Sequence, residues 1–137
     1  MTISGEQTKQ LLEAAAAVRR HAHAPYSNFP VGAAVLDDQG RIHVGCNVEN
    51  SSYPQGTCAE AAAIGAMVAS GGKRIRAILV TAEGEGLCTP CGACRQRISE
   101  HAEDATPVLV AQGDRVRATF TLEQLLPHSF GPENLGR

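Results

Sequence analysis

Only Gln112–Arg115 (QGDR) separates two short apolar runs near the end of the chain, Pro107–Ala111 (PVLVA) and Val116–Phe120 (VRATF). Parallel strands need a crossover of about a dozen residues or more, whereas antiparallel strands close through a tight turn. The last two strands are therefore expected to be antiparallel neighbours. An earlier pair reads the same way. Val31–Leu36 (VGAAVL) and Arg41–Val48 (RIHVGCNV) flank the turn DDQG, whose glycine suits a positive φ, so a hairpin is expected there. Ile75–Thr81 (IRAILVT) is nearly continuous in apolar residues, as suits a strand buried on both faces.

Three helices accompany these strands. Residues 6–20 (EQTKQLLEAAAAVRR) are strong helix formers carrying an apolar stripe. HAHAPYSNFP then breaks the helix at its two prolines. A second helix is expected from about Cys58 to Ala69, ending at Gly71-Gly72, and a third from about Cys91 to His101. Leu122–Leu126 suits one more helical turn, and the tail HSFGPENLGR reads as irregular. The order αββαβαββ predicts the α/β class, with a five-stranded sheet and helices on its faces.

The 137 residues fit one domain, 1–137, and 43% hydrophobic against 19% charged residues is a globular balance. A net charge of -2 provides no positive field to gather a nucleic acid. The apolar stretches Leu11–Val18 and Ala61–Ala69 are too short to span a bilayer. The start of the chain lacks a signal-peptide pattern, so a cytosolic home is expected, with neither nucleic acid nor membrane as partner. Five cysteines cannot all pair within one chain, and in a reducing compartment such clusters bind metal or do chemistry.

The cysteines that matter open two predicted helices, as Cys58-Ala59-Glu60 and Pro90-Cys91-Gly92-Ala93-Cys94. A C-x2-C pair can grip one tetrahedral zinc from a single helical turn, and a catalytic zinc takes three protein ligands with a fourth position left for water. Cys58 is the natural third ligand beside Cys91 and Cys94. Residues i and i+2 do not share a helix face, so Cys58 and Glu60 can approach one metal only if their helix points at it end-on. Both helix N-termini would then help to hold the thiolates ionised.

Other readings of these residues need no chemistry. Thr57-x-x-Glu60 also fits a capping box, and Thr89 before Pro90 also fits a helix start. Cys46 on a strand suits a small buried residue. Cys88, Cys91 and Cys94 make C-x2-C-x2-C, but the iron–sulfur continuation C-x3-C-P is missing, which leaves Cys88 a bystander. His21, His23, His43, His101 and His128 read as surface or loop residues rather than ligands. A closed structural zinc site would need a fourth protein ligand, such as Cys88 or Cys46.

Cys58-Ala59-Glu60 with Pro90-Cys91-Gly92-Ala93-Cys94 resembles the zinc deaminase signature H-x-E…P-C-x-x-C, with cysteine in place of histidine. APYSNFPVGAAV, GCNVENSSY, TCAE, PCGACRQ and LLPHSF follow in order along nearly the whole chain. Together they resemble the cytidine deaminase family of the small, homotetrameric type. The resemblance implies a three-layer α/β/α fold with a mixed sheet, one zinc per chain, and hydrolysis of the 4-amino group of cytidine or deoxycytidine to uridine or deoxyuridine and ammonia, in pyrimidine salvage. It implies Glu60 as the proton carrier and Cys58, Cys91 and Cys94 as zinc ligands. It also implies substrate contacts at Phe29, Asn47, Glu49, Ala59, the carbonyl near Thr89, and Phe130, the last reaching into a neighbouring subunit so that active sites are shared. Blasticidin S deaminases resemble the chain in size and motifs, while the NVEN string favours an ordinary nucleoside. In one respect the chain departs from the family: Ala61 stands where an arginine often follows the glutamate. Helix dipoles, or another cation such as Arg95, are expected to offset the thiolates instead.

Overall fold

The computed structural model describes residues 3–137. Helix α1 (Gly5–Arg19) leads into strands β1 (Val31–Asp37) and β2 (Ile42–Cys46), then α2 (Ala59–Ala69) and β3 (Ile75–Ala82). Helix α3 (Gly92–His101), strands β4 (Pro107–Gln112) and β5 (Arg115–Thr121), and the single turn α4 (Leu122–Leu125) complete the order. The tail, expected to be irregular, forms a 3-10 turn at Pro132–Leu135. No described helix is long and apolar enough to cross a membrane.

The five strands form one sheet in the order β2-β1-β3-β4-β5. β1 pairs antiparallel with both β2 and β3, and β4 pairs antiparallel with β5, as the short QGDR link required. Only β3 and β4 run parallel among the described strands, and α3 is the crossover that such a pair demands. The sheet is therefore mixed.

Alternation along the strands divides the core in two. Ala33, Val35, Ile78, Val80 and Val108 face Ala59, Ala63, Met67 and Ile98 of α2 and α3. Ala34, Leu36, Leu79 and Leu109 face Leu11 and Ala15 of α1 on the other side. Central β3 is buried along almost its whole length, in keeping with its unbroken apolar run. The result is three layers, helix on sheet on helices.

Two glycines set how closely the outer layers approach. A Cβ on Gly32 would fall 2.2 Å from the Ala15 carbonyl oxygen of α1. On the opposite face, a Cβ on Gly45 would fall 2.4 Å from the Ala63 nitrogen and 2.5 Å from the Ala59 oxygen of α2. Both helices rest directly on strand backbone.

One histidine departs from the sequence reading. His43 is no surface residue: its side chain is 9% exposed, and its Nε2 lies 2.8 Å from Oδ2 of the fully buried Asp37. Asp37 sits at a register shift between β1 and β3 and also accepts from the backbone N–H groups of Gln39 and Arg41 and from Arg41 Nε. Cys46 is half-buried rather than a core residue.

Candidate active site

Each helix that carries a candidate ligand starts one residue later than its cysteine. Cys58 is the N-cap of α2 and Cys91 the N-cap of α3, both with extended backbone and neither with a capping side-chain hydrogen bond. The Thr57 capping box and the Thr89 helix start are thus not formed. Thr89 Oγ1 instead accepts from Arg95 Nη2 at 3.0 Å. Sulfur takes the place at each helix start where a hydroxyl or carboxylate oxygen usually serves, and at Cys91 the N–H groups of Cys94 and Ala93 turn toward it.

The Sγ atoms of Cys58, Cys91 and Cys94 all lie within 4.8 Å of one another. Zinc–sulfur bonds of about 2.3 Å in a tetrahedron place sulfurs roughly 3.8 Å apart, so a small inward turn of the side chains closes them on one ion. Among the described residues neither Cys88 nor Cys46 joins this group. The donor set is the three-ligand type with a fourth position left over, rather than the closed type.

Electrostatics separate the three thiols. The Cys94 N–H holds Cys91 below its ordinary range, with help from the other thiols and the Ala93 N–H. Burial pushes Cys58 up, and it pushes Cys94 up strongly, with the Glu60 charge adding to both. Three neighbouring thiolates repel, so the full set ionises only with a cation among them. That is how a metal site behaves before it is filled.

Glu60, in the first turn of α2, is 5% exposed. Burial raises its carboxyl, its own backbone N–H and the Arg97 charge oppose the rise, and its charge is felt at Cys58, Cys88 and Cys94. Among the described residues Glu60 is not part of the clustered donor group, so its buried carboxyl stands apart from the three sulfurs.

Arg95 does not offset the thiolates, contrary to the expectation from sequence. Its Nε donates to the Pro90 carbonyl at 2.7 Å, its Nη1 to the Leu125 carbonyl at 2.9 Å, and its Nη2 to Thr89. It ties the segment before α3 to α4. The cation beside sulfur is Arg97, whose Nη1 lies 3.6 Å from Cys94 Sγ. Both residues follow the C-x2-C pair in sequence, and only the direction of the side chains tells them apart.

Asn47 and Glu49 bind the preceding loop. Asn47 Oδ1 accepts from the Val31 N–H at 2.8 Å and Nδ2 donates to the Phe29 carbonyl at 2.9 Å. Glu49 accepts from the N–H groups of Tyr26 and Ser27 and from the Ser27 hydroxyl. These bonds, the Ser27 hydroxyl foremost, hold its carboxyl below the usual range. Glu49, Ser27, Tyr26, Asn50, Tyr53 and Gly56 line a pocket of about 330 Å³. The rings of Tyr26 and Tyr53 lie 5.7 Å apart there, a pair that no motif in the sequence singles out.

Phe29 and Phe130 stay outside that lining. Phe29 is 42% exposed and follows Asn28, which takes a left-handed φ of 54° and turns the chain outward. Phe130 is 58% exposed beside a different cleft, its carbonyl accepting from Gln96 Nε2 of α3. Ala59 is buried at the start of α2.

Residues 5–110 match the family described as the cytidine and deoxycytidylate deaminase zinc-binding region. The chain belongs to the cytidine deaminase family. Among relatives, a cytidine deaminase of Sporosarcina psychrophila is 42% identical over 127 residues, covering 93% of each chain. One from Mycobacterium tuberculosis is 44% identical over 117 residues, or 85% of this chain and 84% of its own length. The crystal structure of a cytidine deaminase from Burkholderia pseudomallei superposes with a TM-score of 0.83 at 40% identity, over 93% of this chain and all of that one. The three-layer fold with its mixed sheet is thus the cytidine deaminase fold.

Proposed function

We propose that this cytidine deaminase family member removes the 4-amino group of cytidine and deoxycytidine hydrolytically, releasing uridine or deoxyuridine and ammonia. The observation that carries the reading is the convergence of Cys58, Cys91 and Cys94 at two helix starts with buried Glu60 beside them. Cys58, Cys91 and Cys94 would hold a zinc ion, which would supply activation of a water for attack near neutral pH.

Glu60 would take one proton of the attacking water and deliver it to ring nitrogen N3. It would then take the second from the hydroxyl added at C4 and pass it to the departing amine as the C4–N bond breaks. A carboxyl raised by burial suits a group that must hold a proton between two transfers. The carbonyl of Thr89 accepts a hydrogen bond from the 4-amino group, on a segment that Arg95 braces. Ala59 packs beside the base at the first turn of α2.

Ribose recognition falls to Asn47 and Glu49. A side-chain amide offers two N–H groups and two lone pairs, and a carboxylate about four lone pairs. Asn47 spends one of each on Val31 and Phe29, and Glu49 spends three. One donor and one acceptor on Asn47 and one acceptor on Glu49 remain for sugar hydroxyls. Because those groups would be left unpaired by a free base, the site discriminates for the nucleoside. Phe29 covers base or sugar from the loop edge.

The same reading makes residues 1–137 one catalytic domain with one zinc, assembled as a homotetramer. The half-exposed Phe130 ring supports this, since an exposed aromatic on a segment held to α3 is available to a neighbouring subunit's pocket. Pyrimidine salvage in the cytosol is the matching setting, where the five free cysteines stay reduced.

Ammonia release from cytidine, measured with the zinc content of wild type and Glu60→Ala, tests the reading. Turnover with about one zinc per chain, and a loss of roughly a thousandfold or more in a Glu60→Ala protein that keeps its zinc, is expected. Zinc without turnover on cytidine or deoxycytidine overturns the substrate assignment.

A further inference from the structure

Resting on the zinc site proposed above, we infer that Arg97 is a positioning residue that offsets the charge of the cysteine cluster, replacing a cation beside Glu60. Three thiolates around a divalent ion leave a net charge of about -1. At the position after Glu60 stands Ala61, half-buried and neutral, in the first turn of α2. Arg95 has three of its five N–H donors committed to Pro90, Leu125 and Thr89.

Arg97 lies three residues beyond Cys94 on α3, and i,i+3 residues stack on one helix face. Its Nη1 lies 3.6 Å from Cys94 Sγ, within the range of a hydrogen bond to sulfur. Among the described residues that is the one hydrogen bond its guanidinium makes. Its charge also reaches Glu60, where it favours the carboxylate. Arg97 thus touches the outer side of one ligand and acts on the proton carrier through space. The guanidinium has no part in the chemistry itself.

The side chain is exposed, so its removal opens no core cavity and its effect is open to screening by salt. A hydrogen bond to a charged group sets the scale of its contribution, reduced by that exposure.

Zinc-loaded protein is challenged with a chromophoric chelator, and release is followed for wild type, Arg97→Gln, Arg97→Lys and Arg97→Gln with Ala61→Arg. Zinc is expected to leave Arg97→Gln about tenfold faster than wild type. Arg97→Lys should fall between, and added salt should narrow the gap. Adding Ala61→Arg should restore slow release by placing a cation on the other helix. In the cobalt-substituted protein, losing a hydrogen bond to sulfur should move the thiolate-to-metal charge-transfer band of Arg97→Gln to longer wavelength. Equal release from wild type and Arg97→Gln overturns the inference, as does an equal drop in the melting temperature of the metal-free proteins, which would mark a purely structural residue. A wild type that retains no zinc overturns the metal site itself, and this inference with it.

Discussion

Gly45 of β2 lies against the Ala59 carbonyl of α2 so closely that a Cβ would stand 2.5 Å from that oxygen. Ala59 is flanked in sequence by Cys58 and Glu60, so this tight contact between sheet and helix falls at the start of α2.

Gly45→Ala is therefore expected to cost about 1–3 kcal/mol by overpacking and to shift the start of α2. Gly32→Ala makes a still closer contact, 2.2 Å from the Ala15 carbonyl on the α1 face, and serves as its control. Thermal melting should fall for both. Activity per folded molecule should fall only for Gly45→Ala, and equal activity losses would show that the β2–α2 contact has no special bearing on the site.

Arg95→Lys removes a planar donor set that lysine cannot reproduce. With the segment at Thr89 and Pro90 no longer pinned to Leu125, kcat/KM for cytidine is expected to drop about tenfold to a hundredfold, as small misplacements of a contact do. Zinc release should stay at the wild-type rate, which separates Arg95 from Arg97. Faster zinc loss in Arg95→Lys would contradict this division of labour.

Acid should weaken the fold through Asp37. Burial by itself would raise this carboxyl, but His43, the Arg41 and Gln39 N–H groups and the Arg41 guanidinium more than compensate, and it lies far below the usual carboxylate range. A depressed native pKa stabilises above the unfolded value, about 3.9, and that stabilisation is lost as pH falls below it toward the native value. Asp37→Asn is expected to cost about 2–4 kcal/mol near neutral pH in urea unfolding. Near pH ~3 the gap between the two proteins should narrow, since wild type is then losing the same contribution. A gap that does not change with pH would point to packing rather than charge.

Much of this was legible in the residues. The tight QGDR link dictated an antiparallel β4/β5 pair, and the unbroken apolar run of β3 dictated a central strand. The C-x2-C spacing with a distant Cys-Ala-Glu brought the three sulfurs together. Other features depended on directions that spacing does not encode. Arg95 and Arg97 are both near the cluster in sequence, yet one turns to carbonyls and the other to sulfur. Thr57 and Thr89 fit cap patterns, but the cysteines took those places. His43 became buried because the register of β1 against β2 and β3 set Asp37 within its reach. Gly45 was hidden for a related reason, since only tertiary packing reveals which strand glycine a helix rests on.

The three sulfurs belong to segments far apart along the chain, one at the start of α2 and two at the start of α3. An ion gripped by all of them is consequently a covalent-like rivet closing a loop of about thirty residues, and chain-entropy reasoning values such a closure at about 4 kcal/mol. Inside that loop lie α2 and β3, the middle of the sheet and the carrier of Glu60. Loading the metal thus narrows the ensemble of the segment that must later meet the nucleoside.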